Sequence, residues 1–163
     1  MAGRMPAAES ASPEFEHSIL INAAPTRVLM AFFDPHALAE WWQAARSVTT
    51  PRPMGVFAVE WPPTAERDEL LGRLGGVFCG RVMEFMPGRE AFVADAWWLP
   101  PDGDPIGPMA LELSCRMAGP ACRLHVKQTG FEDTARWRRY YALIATGWRS
   151  SLAALKEFVE RGE

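Results

Sequence analysis

The side chains of this sequence that are able to do chemistry are few and scattered. His17, His36 and His125 fall on separate stretches with no CxxC, HxxxH or HxxE spacing. A zinc site needs several N, S or O ligands converging on one point, and such spacings supply the first pair, so no metal is expected. Glycine-rich phosphate loops and the G-x-S-x-G of hydrolase nucleophiles are also missing, and no cofactor is called for. Cys79, Cys115 and Cys122 are an odd set in apolar surroundings and read as free thiols. Cys115 and Cys122 flank one turn, where a buried pair of thiols is favoured over a redox couple. Two charged residues stand in apolar company: Arg81 among Cys79, Met83 and Phe85, and Asp95 between Ala94 and Ala96. Facing inward they would pair, or orient the polar end of a ligand, because a buried charge needs a partner. Facing outward they are ordinary surface residues, and strand parity leaves both readings open.

The aromatic residues are the more pronounced signal. There are 7 Trp in 163 residues. Trp41, Trp42, Phe57, Trp61, Phe78, Phe92, Trp97 and Trp98 come from the first two thirds of the chain, and Trp137, Tyr140, Tyr141 and Trp148 from its end. Rings gathered round a few polar groups suit binding of a small apolar molecule; the same rings also fill cores.

The elements that must position these groups follow from periodicity. Trp137, Tyr141, Ile144, Trp148, Leu152, Leu155 and Val159 recur three or four residues apart, which is one face of a long helix. Asp133 or Thr134 can cap its start and Gly162 lies past its end. About 28 residues at 1.5 Å each make a rod of about 40 Å. Upstream, Phe15–Asn22 reads as a strand. Pro25 opens a short helix with Val28, Leu29 and Phe32 on its apolar side, and Asp34-Pro35 opens another that ends near Trp41-Trp42. Period-two alternation then takes over. Strands are expected over Gly55–Trp61, Val77–Phe85 and Ala91–Leu99, then a hairpin with Leu111, Leu113, Cys115, Leu124 and Val126 on its apolar face. The Pro- and Gly-flanked connection after Trp61 reads as a surface loop, with a flap over a cavity mouth as the other reading. The order strand, two short helices, five or six strands, long helix gives an α+β domain. Residues 1–13 read as a mobile tail, and 14–163 as one domain.

A formal charge of −3 argues against a nucleic-acid footprint. No apolar run is long enough to span a membrane, and no secretory signal is visible, so a cytoplasmic protein is expected.

Five stretches resemble the bacterial family of activator of heat-shock protein 90 ATPase homologues, within the START-like (Bet v 1-like, SRPBCC) superfamily. They are I-N-A-A-P-T-R-V-L-M-A-F-F-D-P-H-A-L-A-E-W-W at 21–42, G-V-F-A-V-E-W at 55–61, G-R-V-M-E-F-M-P at 80–87, T-G-F at 129–131 and G-W-R-S-S-L-A-A-L-K-E-F-V-E at 147–160. The resemblance implies the helix-grip fold: a curved antiparallel sheet around a long C-terminal helix, commonly with an apolar cavity between them. Family members commonly carry His just before the Ser/Thr-Gly-Phe; here that residue is Gln128. By parity Gln128 shares the face of Leu124 and Val126 and points inward. Gln does not titrate near neutral pH, which turns the spot away from acid–base chemistry.

The expected function is binding of a small hydrophobic or aromatic molecule between sheet and helix. Candidate ligand-binding residues are Trp41, Trp42, Phe57, Trp61, Phe78, Arg81, Phe92, Asp95, Trp97, Leu111, Leu113, Gln128, Trp137, Tyr141, Ile144 and Trp148. Gln128, Tyr141, Arg81 and Asp95 are the ones expected to meet a polar group. The alternatives are a cyclase or aromatase, which needs Asp95, Glu60 or Glu84 turned into the cavity, and a co-chaperone-like or homodimeric interaction module.

Overall fold

The computed structural model describes residues 13–162. The expected tail, apart from Pro13, therefore lies outside the described residues. The elements run β1 (Phe15–Ile21), α1 (Pro25–Met30), α2 (Pro35–Trp41), β2 (Arg46–Thr49), β3 (Val56–Trp61), β4 (Arg67–Asp68), β5 (Gly72–Arg73), β6 (Gly76–Met86), β7 (Glu90–Leu99), β8 (Ile106–Ala118), β9 (Ala121–Thr129) and α3 (Ala135–Glu160). Seven strands form one antiparallel sheet in the order β1-β9-β8-β7-β6-β3-β2. This is the α+β arrangement that the order of patterns implied, in the helix-grip form that the resemblance implied.

The helix boundaries have local causes. Asp34 Oδ2 accepts the Ala37 N–H at 3.0 Å, and Pro35 follows in the first helical position, where its missing donor costs nothing. At α3 it is Thr134, of the two candidates, whose hydroxyl accepts the Trp137 N–H, at 3.2 Å. Gly162, just past the end, has φ +80°, the left-handed conformation that closes helices and that glycine adopts without a Cβ penalty. Trp137, Tyr140, Ala145, Trp148, Leu152, Leu155 and Val159 form the buried stripe of α3. They share one core with the inner sheet residues Phe57, Val59, Val93, Leu111, Leu113, Leu124 and Val126.

Two segments differ from expectation. Strand β8 starts at Ile106, ahead of the alternation expected from Leu111 and inside the Pro-, Gly- and Asp-rich stretch after Leu99 that reads as a loop, because Ile106 is buried and pairs with Trp98. Pro108 is tolerated there because the β7–β8 register shifts between Ala96 and Trp98, so a missing donor falls at an irregularity. The connection after Trp61 folds into the small β4–β5 hairpin, and its Leu71 is only 1% exposed. It is a covering segment with an inward face.

Candidate ligand cavity

A cavity of about 450 Å³ lies between α3 and the sheet. Trp61, Phe78, Trp98 and Gln128 come from β3, β6, β7 and β9. Tyr140, Leu143, Ile144, Gly147, Trp148 and Ser151 come from α3, again at three- and four-residue spacing. Trp42 and Gln43 follow α2, and Pro62, Thr64, Leu71, Leu74 and Gly75 belong to the covering segment. No Asp, Glu, His, Lys, Arg or Cys is among these lining residues.

The aromatic wall is cross-braced. The Trp42 ring stacks on Trp41 at 4.7 Å and 10°, meets Trp61 edge-on at 5.1 Å and lies 5.2 Å from Trp148. Trp98 stacks on Tyr140 at 5.4 Å and 24°. Three indole N–H groups are spent on backbone carbonyls: Trp41 on Ala31 O at 2.9 Å, Trp61 on Trp42 O at 2.9 Å and Trp98 on Gly75 O at 2.8 Å. A buried indole N–H needs such a partner, and here each bond also fixes the tilt of a ring.

The polar centre is Gln128, 2% exposed. Its Oε1 accepts the Trp148 indole N–H at 2.8 Å. Its Nε2 donates to Met109 Sδ at 3.2 Å and to the Tyr140 hydroxyl oxygen at 3.5 Å. An indole nitrogen only donates, so it dictates which end of the amide faces it, and Nε2 is left facing Tyr140. Burial pushes the Tyr140 hydroxyl well above its ordinary pKa, with the Gln128 contact opposing, so the phenol stays protonated.

Of the residues singled out from sequence, Trp42, Trp61, Phe78, Gln128, Ile144 and Trp148 line the cavity together. Trp41, Phe57, Leu111, Leu113 and Trp137 are buried in the adjoining core. Phe92 and Trp97 alternate with buried Ala91, Val93, Ala96 and Trp98 and stand half-buried on the opposite face of β7. Arg81 and Asp95 face outward: Arg81 donates to Met54 O at 3.3 Å, and Asp95 accepts from the Trp97 indole at 3.3 Å. Glu60 pairs with Arg46 at 2.7 Å and Glu84 is exposed, so the carboxylates considered for acid–base work are turned away from the cavity. Tyr141 donates its hydroxyl to Glu14 O at 3.0 Å, and its neighbour Tyr140 takes the cavity position. Tyr140 lies three residues after Trp137 and four before Ile144, which was the available signal; Tyr141 fits the same spacing in reverse. Leu71, Leu74 and Gly147 had no sequence signal of this kind.

Elsewhere the reactive groups are quiet. Burial pushes the Cys115 and Cys122 thiols up, away from the reactive thiolate. Among the described residues no cluster of His, Cys, Asp and Glu is placed to hold a metal. No helix is long and apolar enough to cross a membrane among the described residues.

The covering segment is clamped from outside by charge. Asp68 pairs with Arg139 of α3 at 2.6 Å and accepts the Leu70 and Leu71 N–H groups at 3.1 Å. Asp102 pairs with Arg67 and accepts the Arg73 N–H at 2.9 Å. Arg136 donates to Leu70 O at 3.2 Å. A shallow polar recess of about 490 Å³ among Arg67, Asp68, Asp102 and Arg136 is the outer side of this clamp. Desolvation raises the Asp68 carboxyl, but the Arg139 bond and the two N–H groups outweigh it and hold it below the usual carboxylate value. The Arg73 N–H and the Arg67 guanidinium hold Asp102 low in the same sense. A carboxyl whose folded pKa is depressed gives stability that is complete above the unfolded value, about 4, and is lost as pH falls through the folded value. The thermal midpoint of Asp68→Asn is therefore expected below that of the parent at pH 7, with the gap closing as pH drops below about 4. An equal gap at pH 3 and pH 7 would refute the assignment.

An antiparallel sheet laid on one long C-terminal helix, with two short helices after the first strand, defines a helix-grip protein of the START-like (SRPBCC) type. A family model described as Activator of Hsp90 ATPase homolog 1-like protein matches residues 22–160. The chain belongs to that family. Among similar solved structures, a protein of Mesorhizobium loti has 19% identity and a TM-score of 0.70, over 93% of this chain and 99% of that one. The Aha1 dimer of Colwellia psychrerythraea has 16% identity and a TM-score of 0.63, over 93% and 98%. DynU16, of the dynemicin biosynthetic locus, has 15% identity and a TM-score of 0.64, over 94% of this chain and 49% of its own. At these identities the likeness is one of fold. A search of curated proteins finds no match to the sequence.

Proposed function

We propose that the protein binds a small apolar molecule in the cavity between α3 and the sheet. The observation that carries this reading is an aromatic-walled cavity of about 450 Å³ with two buried polar side chains, Gln128 and Tyr140, set in its lining, the other polar residues, Gln43, Thr64 and Ser151, being more exposed. That is the constitution of a small-molecule site: apolar walls for burial and a few polar groups for orientation. Burying about 300 Å² of apolar ligand surface at about 25 cal/mol per Å² supplies about 7 kcal/mol before association costs. A lining whose one titratable side chain is Tyr140, a phenol that burial keeps protonated, suits a carrier or sensor better than an acid–base catalyst.

Native mass spectrometry of the gently purified protein, followed by organic extraction, tests the proposal. A bound mass of small-molecule size is expected, displaced by an added apolar aromatic. A ligand-free mass, together with exclusion of a fluorescent apolar probe, would make the aromatic lining mere core. The same spectrum reads the number of copies. A second copy of this chain is proposed as a partner because the Colwellia relative is a dimer.

A further inference from the structure

Resting on that proposal, the polarity of the cavity narrows the class of ligand. Gln128 and Tyr140 are both nearly fully buried, at 2% and 5% exposure. Trp148 holds the amide oxygen, so the polar ends left over are both donors. The Gln128 Nε2 group has only weak acceptors, a thioether at 3.2 Å and a phenol oxygen at 3.5 Å. A thioether is a poor acceptor, and 3.5 Å is at the outer limit of a hydrogen bond. The Tyr140 hydroxyl proton meets no acceptor among the described residues. Two converging donors, buried and under-used, are costly unless something accepts from them.

The lining also says what the acceptor cannot be. With no Lys, Arg or His in the wall, a carboxylate or sulfonate would lose its hydration with no cation to replace it. An ammonium would find no carboxylate. The walls themselves are flat: Trp42, Trp61, Trp98 and Trp148 present rings, and rings stack best on flat partners. We infer that the cavity selects an uncharged, planar aromatic molecule bearing a carbonyl-type oxygen, with that oxygen received by the Tyr140 hydroxyl and the Gln128 amide N–H.

Isothermal titration calorimetry with three naphthalenes of nearly one shape tests this. The three are 2-acetylnaphthalene, which carries the carbonyl; 2-isopropenylnaphthalene, with CH₂ in place of its oxygen; and 2-naphthoate, which is charged. The acetyl compound is expected to bind roughly 10-fold tighter than the isopropenyl compound, the worth of one to two hydrogen bonds. The naphthoate is expected to bind weaker than either. Tyr140→Phe is expected to lower the acetyl-to-isopropenyl ratio several-fold, and a cooperative thermal unfolding transition shows that the variant is folded. Equal binding of acetyl and isopropenyl compounds to the parent protein overturns the inference and leaves the apolar site standing. Tightest binding by naphthoate, or a ratio untouched in Tyr140→Phe, overturns it likewise. If none of the three binds, the ligand-binding proposal falls with it.

Discussion

Gly147→Trp is expected to weaken binding of a neutral naphthalene at least 10-fold while leaving the protein as stable as before, or slightly more so. Gly147 lies inside α3, where glycine costs about 1 kcal/mol relative to alanine and tryptophan only about half of that. A Cβ added there meets nothing within 4 Å. Position 147 is on the cavity-lining stripe, three residues after Ile144 and four before Ser151. Gly147 is an exposed residue of the cavity's lining, so the new ring is expected to cover or fill the opening without displacing a packed neighbour. Calorimetry gives the Kd and a thermal scan gives the midpoint. Unchanged binding in a stable variant would mean that the ligand sits elsewhere. Loss of binding together with a fall in stability would mean that this space is not open.

The largest stability effect is expected at Trp148. Trp148→Ala removes a nearly buried indole that braces Trp42 and holds Gln128, and is expected to cost about 3–5 kcal/mol. The hydrogen bond can be separated from the packing. Trp148→Phe keeps a ring but leaves Gln128 Oε1 buried without its donor, an expected loss of about 1–3 kcal/mol beyond the lost packing. Gln128→Leu leaves the Trp148 N–H orphaned and is expected to cost a similar amount. The double variant Trp148→Phe/Gln128→Leu orphans neither end of the Trp148–Gln128 bond, so its loss is expected to be well below the sum of the two single losses. Urea unfolding of the four proteins gives the numbers. Simple additivity would show that the bond does not hold the amide.

Much of the frame was legible because its causes are local. Asp34-Pro35 is a capping residue followed by a residue preset for the first helical turn, and it starts α2 as the pair of types demands. The apolar residues of β8 and β9 alternate, and their inward parity places Gln128 correctly, since β9 pairs without a register shift from Ala121 to Thr129. Parity gave no decision for Arg81 and Asp95, and the reason is physical. The β6–β7 register shifts between Cys79 and Arg81, and the β7–β8 register between Val93 and Ala96, where Asp95 has φ +52°. A bulge reverses the faces beyond it, so counting residues fails on its far side. Gly80 sits in the first irregularity, where a Cβ would come within 2.7 Å of Val93 Cγ1. The burial of Leu71 was hidden for another reason: its segment has no period of its own, and what buries it is α3 and the sheet, remote in sequence. Spacing favoured Tyr141, but both tyrosines fit a three- and four-residue rhythm between Trp137 and Ile144, and it is Tyr140 that lines the cavity while Tyr141 bonds Glu14 O.

The residue displaced from the cavity has a use of its own. Strand β1 is one of the sheet's two free edges, and exposed edges invite strands from other molecules. Along it Tyr141 donates to Glu14 O at 3.0 Å and Lys156 to Leu20 O at 2.8 Å, while Glu160 accepts the Asn22 N–H at 2.7 Å. Three side chains of one helix thus occupy backbone groups on or beside β1. The opposite edge, β2, is four residues long, opens with Arg46 and is followed by Pro51 and Pro53, which have no N–H to offer. The helix that walls the cavity therefore also works as a guard against aggregation, and a change made in it to retune a ligand is also a change in how well the chain keeps to itself at high concentration.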